Sequence, residues 1–197
     1  TPTQYYKPYP VCRWAQGPID AVLALKRTHR ITSQDVAKIT IISFHEATRL
    51  ATTNPQNTEE AQYSTAFPTA IAMVHGDVAP AHIEAAAFQH PEVQRLAATL
   101  TMEEEDTANA PFPHRRYARA DIDLKDGRRL SSDWLEPRWG PFNRAASEEI
   151  HAKFDAWTTP HTDQGPAIKA AVAALPHMDP STLFPLLSPK AHLRCSP

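Results

Sequence analysis

RRYARADIDLKDGRRLSSDW, residues 115–134, alternates through Tyr117, Ala118, Arg119, Ala120, Asp121, Ile122, Asp123 and Leu124 and then reaches Asp126-Gly127. Alternation with period two marks a half-buried strand, and Asp-Gly between two such runs is the strongest short hairpin signal. The stretch therefore predicts an antiparallel pair. Upstream, DVAKITIISF (35–44) is rich in β-branched residues and predicts a further strand, with LTMEEE (100–105) as another candidate.

Helical patterns surround these strands. Gly17-Pro18 is a plausible helix start, since proline at the first helical position loses no useful hydrogen bond, and Ile19, Val22 and Leu23 then share a face to about His29. Asn57 with Glu60 resembles a capping box. Tyr63, Phe67, Ala70, Ile71 and Val74 follow at helical spacing, predicting one helix from Thr58 to His75, bent at Pro68, with a polar spot near Ser64. PAHIEAAAF (80–88) and PEVQRLAATL (91–100) read as two short helices, each opened by a proline. The expected body, residues 1–140, is α+β: a small, mostly antiparallel sheet covered by helices. EPRWGPFNRAA (136–146) reads as a linker, and 141–197 as linker and helical tail, with three helical stretches beyond the linker, the first capped by Ser147 with Glu148 and Glu149 at its positive end. Three short helices bury little by themselves. The tail is expected to pack on the body or on a partner.

Composition narrows the function classes. An apolar share of 42% fills a core, and the net charge of −2 with neutral histidine gives no global field for nucleic acid or an anionic membrane. No apolar run approaches the roughly 20 residues of a membrane helix, and the N-terminus lacks a secretory pattern. Two cysteines near opposite ends, Cys12 and Cys195, fit a reducing compartment, so the expected address is cytoplasmic, with an organellar matrix as the other option. Five isolated glycines argue against a phosphate-cradling loop, and hence against a nucleotide cofactor.

The residues of 5–30 pose the functional question. YYKPYPVCRWAQ places Lys7 and Arg13 around Pro8 and Pro10, which fix their own φ angles and extend the residues before them. Such a rail either holds a cation where a substrate must find it or simply ends a strand. Other chemistries find less support. His45-Glu46 is followed by Arg49 where a zinc-binding helix needs its second histidine, and His75, His82, His90 and His114 show no pairing at ligand spacing. No serine has the flanking glycines of a nucleophile elbow. Cys12 beside Arg13 reads first as a small buried thiol. HRRYAR (114–119) has the look of a nucleic-acid patch, but a hairpin makes it a solvated strand face.

Five ordered landmarks carry a resemblance: KPYPVCRWAQGPIDA (7–21), FHEA (44–47), AQYSTAFPTAIAM (61–73), DIDLKDGRRL (121–130) and SEEIHAKF (147–154). Together they resemble the C-terminal part of the MmgE/PrpD family, which includes 2-methylcitrate dehydratase, cis-aconitate decarboxylase and iminodisuccinate epimerase. The resemblance implies an α+β lid followed by helices that return to a large helical N-terminal half, here absent, with the active site between the two. It implies small di- or tricarboxylate substrates, proton transfer next to a carboxylate or imine carbon, no metal or organic cofactor, and a homodimer of the complete enzyme. Lys7 matches the family lysine that faces substrate, and His45 lies in a segment typical of the dehydratase branch, so these two are the catalytic candidates. Arg13 is the candidate carboxylate clamp. Gln16 stands where many relatives carry histidine and some dehydratases carry glutamine, and joins Arg13 as a substrate-binding candidate; Ser64 matches a helix motif and reads as packing. The implied reaction is dehydration of a methylcitrate-like substrate, inactive without the helical half, with epimerisation or decarboxylation as alternatives and a non-catalytic lid that binds a partner as another.

Overall fold

The computed structural model describes residues 4–187. The chain divides into two compact units, with the break between Arg144 and Ala145. Cys195 lies outside the described residues.

In the first unit, helix α1 (Arg13–His29) precedes strand β1 (Val36–Ser43), and the short α2 (His45–Thr48) follows. Helices α3 (Thr58–Tyr63), α4 (Ala66–His75) and α5 (Pro91–Thr99) lead to β2 (Thr101–Glu104), with 3-10 turns at Pro80–Ile83 and Ala85–Gln89. A single turn, α6 (Asp106–Asn109), and the hairpin β3 (Arg119–Leu124) and β4 (Arg129–Ser131) complete it. The sheet order is β2-β1-β3-β4. β1 runs parallel to β2 and antiparallel to β3, with Ile39 opposite Ile122 and Ile41 opposite Ala120, and β3 pairs antiparallel with β4. The expected α+β fold stands, with one parallel pairing in an otherwise antiparallel sheet.

β1 is the central strand, and from Ile39 to Ser43 it is buried on both faces, which is why its sequence is a β-branched run with weak alternation. Its Ile39 and Ile41 pack with Ile19, Val22, Phe67, Ile71 and Leu96 in the main core. A smaller aromatic cluster gathers Phe44, Trp14, Phe112, Tyr117 and Trp134. Phe44 and Phe112 stack at 4.5 Å, with Trp14 edge-on to both.

Several local expectations are corrected. Helix α1 begins at Arg13, so Gly17 and Pro18 lie inside it; a Cβ on Gly17 would stand 3.3 Å from Ala118 Cβ, and glycine there lets α1 approach the residue just before β3. The helix expected over 58–75 is two helices parted at Ser64 and Thr65. Pro68 is the third residue of α4, where an N–H has no intrahelical partner, so it opens a helix and does not bend one. Ser64 is buried, accepts the Phe67 N–H at 3.0 Å and donates to Thr52 O at 2.6 Å, which leaves no polar spot for chemistry. The hairpin closes through Leu124 N–H to Arg128 O at 2.8 Å, so its loop is Lys125-Asp126-Gly127, with Gly127 at φ 90°.

The second unit contains α7 (Ser147–Thr158), α8 (Gly165–Ala174) and α9 (Phe184–Leu187). Ala146, not Ser147, precedes the first turn, and the Glu149 carboxylate accepts the Ala146 N–H at 2.9 Å. Lys169 donates to Asp155 at 2.6 Å, and a Cβ on Gly165 would meet Thr158 Oγ1 at 3.2 Å, so α7 and α8 pack tightly at that point. Gly165 is the one buried residue among the unit's described residues. None of the described helices is long and apolar enough to cross a membrane.

Candidate functional site: a locked rail and a cation-lined cavity

The proline rail is held by the start of α1. Gln16 is 1% exposed; its Oε1 accepts the Tyr9 N–H at 3.2 Å, and its Nε2 donates to Tyr9 O, Val11 O and Cys12 O at 3.2–3.3 Å. The expected extended rail is instead a run of bends over residues 8–11; neither a helix nor a sheet ladder serves its backbone groups, so one buried amide satisfies them. The amide is committed to the rail and turns no group outward. Tyr9 is anchored a second time: its hydroxyl donates to Asp20 Oδ1 at 2.8 Å, and Arg138 donates from Nε to that oxygen and from Nη2 to Tyr9 Oη, both at 3.0 Å. Burial, then the neighbouring Asp20 charge, pushes the Tyr9 hydroxyl well above the ordinary tyrosine range. Burial likewise raises the Asp20 carboxyl, against the pull of Arg138. The network behaves as one structural clamp.

Lys7, two residues ahead of this network, is exposed, and Tyr6 N–H reaches Trp139 O at 3.0 Å. Arg13, at the start of α1, is half-buried, and its guanidinium carbon lies 3.6 Å from the centre of the Tyr5 ring. It opens on a cavity of about 240 Å³ that Arg116, His114 and Glu136 also line. Burial lowers the Arg13 pKa, and the Arg116 charge adds to that, while Tyr5 and Glu136 oppose it. The acid in the wall is already engaged, because Glu136 accepts from Arg115 in a two-pronged pair. Trp139, in the left-handed region at φ 63°, leads into Gly140, where a Cβ would stand 3.1 Å from Arg13 Nη2. Glycine here leaves the guanidinium its place. A more open hollow of about 720 Å³, with Arg27, Tyr117 and Trp134 in its wall, shares Glu136, Phe142 and Asn143 with the first.

His45 sits apart from this arrangement, in neither cavity. It opens α2, its backbone N–H donates to Asn109 Oδ1 at 2.7 Å, and its Nδ1 lies 2.7 Å from Glu104 Oε2. Parallel pairing of β2 with β1 sets Glu104 opposite Ser43 and so brings this carboxylate to the ring. Cys12 is half-buried, and its N–H donates to Gln62 O at 2.8 Å.

Residues 9–176 match the family model of the MmgE/PrpD C-terminal domain. The chain belongs to the MmgE/PrpD family. The family is one of dehydratases and other lyases. No curated protein matches the chain. The MmgE/PrpD match takes in Arg13, Gln16, His45, His114 and Arg116, begins two residues after Lys7, and extends through α7 and α8.

Two groupings in this MmgE/PrpD domain were not foreseen. Arg116 and His114 read as a strand face, and nothing in their spacing reveals Arg13 across the fold. His75, His82 and His90 come together: the first two rings stack at 4.3 Å, and His90 meets His75 edge-on at 5.1 Å. Among the described residues, no three or more His, Cys, Asp or Glu are disposed to hold a metal ion.

Proposed function

We propose that this chain is the C-terminal part of a cofactor-independent carboxylate lyase that removes water from a 2-methylcitrate-like tricarboxylate. The observation that carries this reading is the locked rail, which presents Lys7 outward at its head and sets Arg13 in a cation-lined cavity at its foot. Arginine pairs with a carboxylate through two parallel N–H bonds, and lysine meets it as a compact point charge. Two such cations suit a substrate with several carboxylates. When a proton leaves the carbon next to a carboxylate, negative charge moves onto the carboxylate oxygens, and cations already in place stabilise that enolate-like state without reorganising.

On this proposal the principal base comes from a helical N-terminal half, which also covers the second unit. The exposure of Val172, Phe184 and Leu187 at 49%, 64% and 56% supports an additional surface for these helices. The test is reconstitution with a helical half of a family member, with methylcitrate, cis-aconitate and iminodisuccinate offered in parallel and products identified. Water elimination from methylcitrate, with kcat falling at least about a hundredfold in Lys7→Ala, is the expected result. Full activity in Lys7→Ala refutes the role of Lys7, and turnover of another substrate in preference refutes the assigned reaction.

A further inference from the structure

We propose that Arg13, Arg116 and His114 form a carboxylate-binding subsite. The assignment rests on the lyase reading for its choice of carboxylate, while the cavity and its charges stand independently of it.

The first argument is charge balance. Two guanidinium groups and an imidazole face a cavity of about 240 Å³ whose one acid, Glu136, already serves Arg115. Like charges sharing a partly desolvated site raise each other's free energy, and a bound anion relieves both. The lowered proton affinity of Arg13, caused by burial and then by Arg116, has the same origin.

The second argument is hydrogen-bond accounting. Arg13 Nε and Arg116 Nε are both buried without a partner, although buried donors in folded proteins are almost always satisfied. Tyr5 lies over the Arg13 guanidinium, Gly140 makes room beside it, and the Phe112 ring centre is 6.0 Å from the Arg116 guanidinium carbon. Both planes are therefore supported on aromatic surface, the condition under which a guanidinium keeps the orientation needed for two-pronged recognition. The third argument is size. Ligand sites for drug-sized molecules are roughly 300–1,000 Å³; this one suits a carboxylate group with a few carbons.

The experiment follows the Nε–Hε signals of Arg13 and Arg116 in the 197-residue chain by ¹H–¹⁵N NMR, titrating citrate in one arm and inorganic phosphate in another. The expected result is a saturable shift of both signals with citrate, binding weakened about tenfold in Arg116→Gln and a few-fold in Gly140→Ala, and weaker binding of phosphate. Absence of a saturable shift up to tens of millimolar citrate overturns the subsite, as does citrate binding unchanged in Arg116→Gln. Phosphate binding as tight as citrate overturns the carboxylate assignment. Should Arg116→Gln not fold, the wild-type signals and Gly140→Ala decide. Citrate binding without turnover in the reconstituted enzyme refutes the lyase reading alone, and turnover without citrate shifts refutes this subsite alone.

Discussion

Replacing Gln16 by methionine keeps the side-chain length and removes every hydrogen bond of the amide. Four rail contacts are lost, from Tyr9 N–H and to the carbonyls of Tyr9, Val11 and Cys12. Cys12 O keeps Ala15 N–H at 3.1 Å, so three backbone groups are left without a partner. A buried group stripped of its partner costs roughly 1–3 kcal/mol, and bonds of 3.2 Å belong at the low end, which gives a loss of about 3 kcal/mol. Urea denaturation followed by circular dichroism reads this as a lower midpoint with unchanged slope. Gln16→Glu adds a sign. A carboxylate keeps the acceptor for Tyr9 N–H but faces three carbonyls, so folding raises its pKa above the unfolded value of about 4.3. Relative to wild type, this variant is then best below that value and loses stability as pH rises through the raised pKa. A loss below about 1 kcal/mol in Gln16→Met, or stability of Gln16→Glu that does not depend on pH, refutes the claim that this amide holds the rail.

Two further outcomes test other parts of the fold. Burial first, then His82, His90 and Lys26, lowers the His75 pKa; proton uptake is disfavoured in the fold, so stability declines as pH falls below the unfolded histidine value of about 6.5. In an NMR titration the His75 midpoint lies below that value and rises in His82→Gln; an unmoved midpoint refutes the coupling. Gly127→Ala puts a Cβ on a residue at φ 90° with nothing within 4 Å, so its cost is that of backbone conformation alone, about 1–2 kcal/mol by thermal unfolding. Gly127→Asn recovers part of it, and equal losses in the two variants refute that cause.

Local chemistry made much of the framework legible. β1, the hairpin at Gly127, and the prolines that open Pro80–Ile83 and α5 follow from side-chain periodicity and fixed φ angles, which act within a few residues of chain. Asn57 accepts the Glu60 N–H at 2.9 Å, as its spacing suggested, because a helix cap is also a local device. In the candidate site, Arg13 and the amide-held segment before it could be named from the chain alone, and the ordered landmarks pointed to the MmgE/PrpD family.

Other assignments depended on partners distant in sequence. α1 starts a turn earlier than the proline rule suggests because the Gln16 side chain and Gln62 O bind the segment before it. Arg138 reaches Asp20 across 118 residues, and Arg13 shares a cavity with Arg116 only once α1 and the segment leading into β3 are packed. His75, His82 and His90 look unrelated in the chain, yet in the fold the first two rings stack and His90 meets His75 edge-on. Sequence settles backbone preference because sterics and hydrogen bonding along the chain are short-range. Which cations face one cavity, and which amide is spent on structure, depends on close packing between elements, and that exists only in the folded molecule.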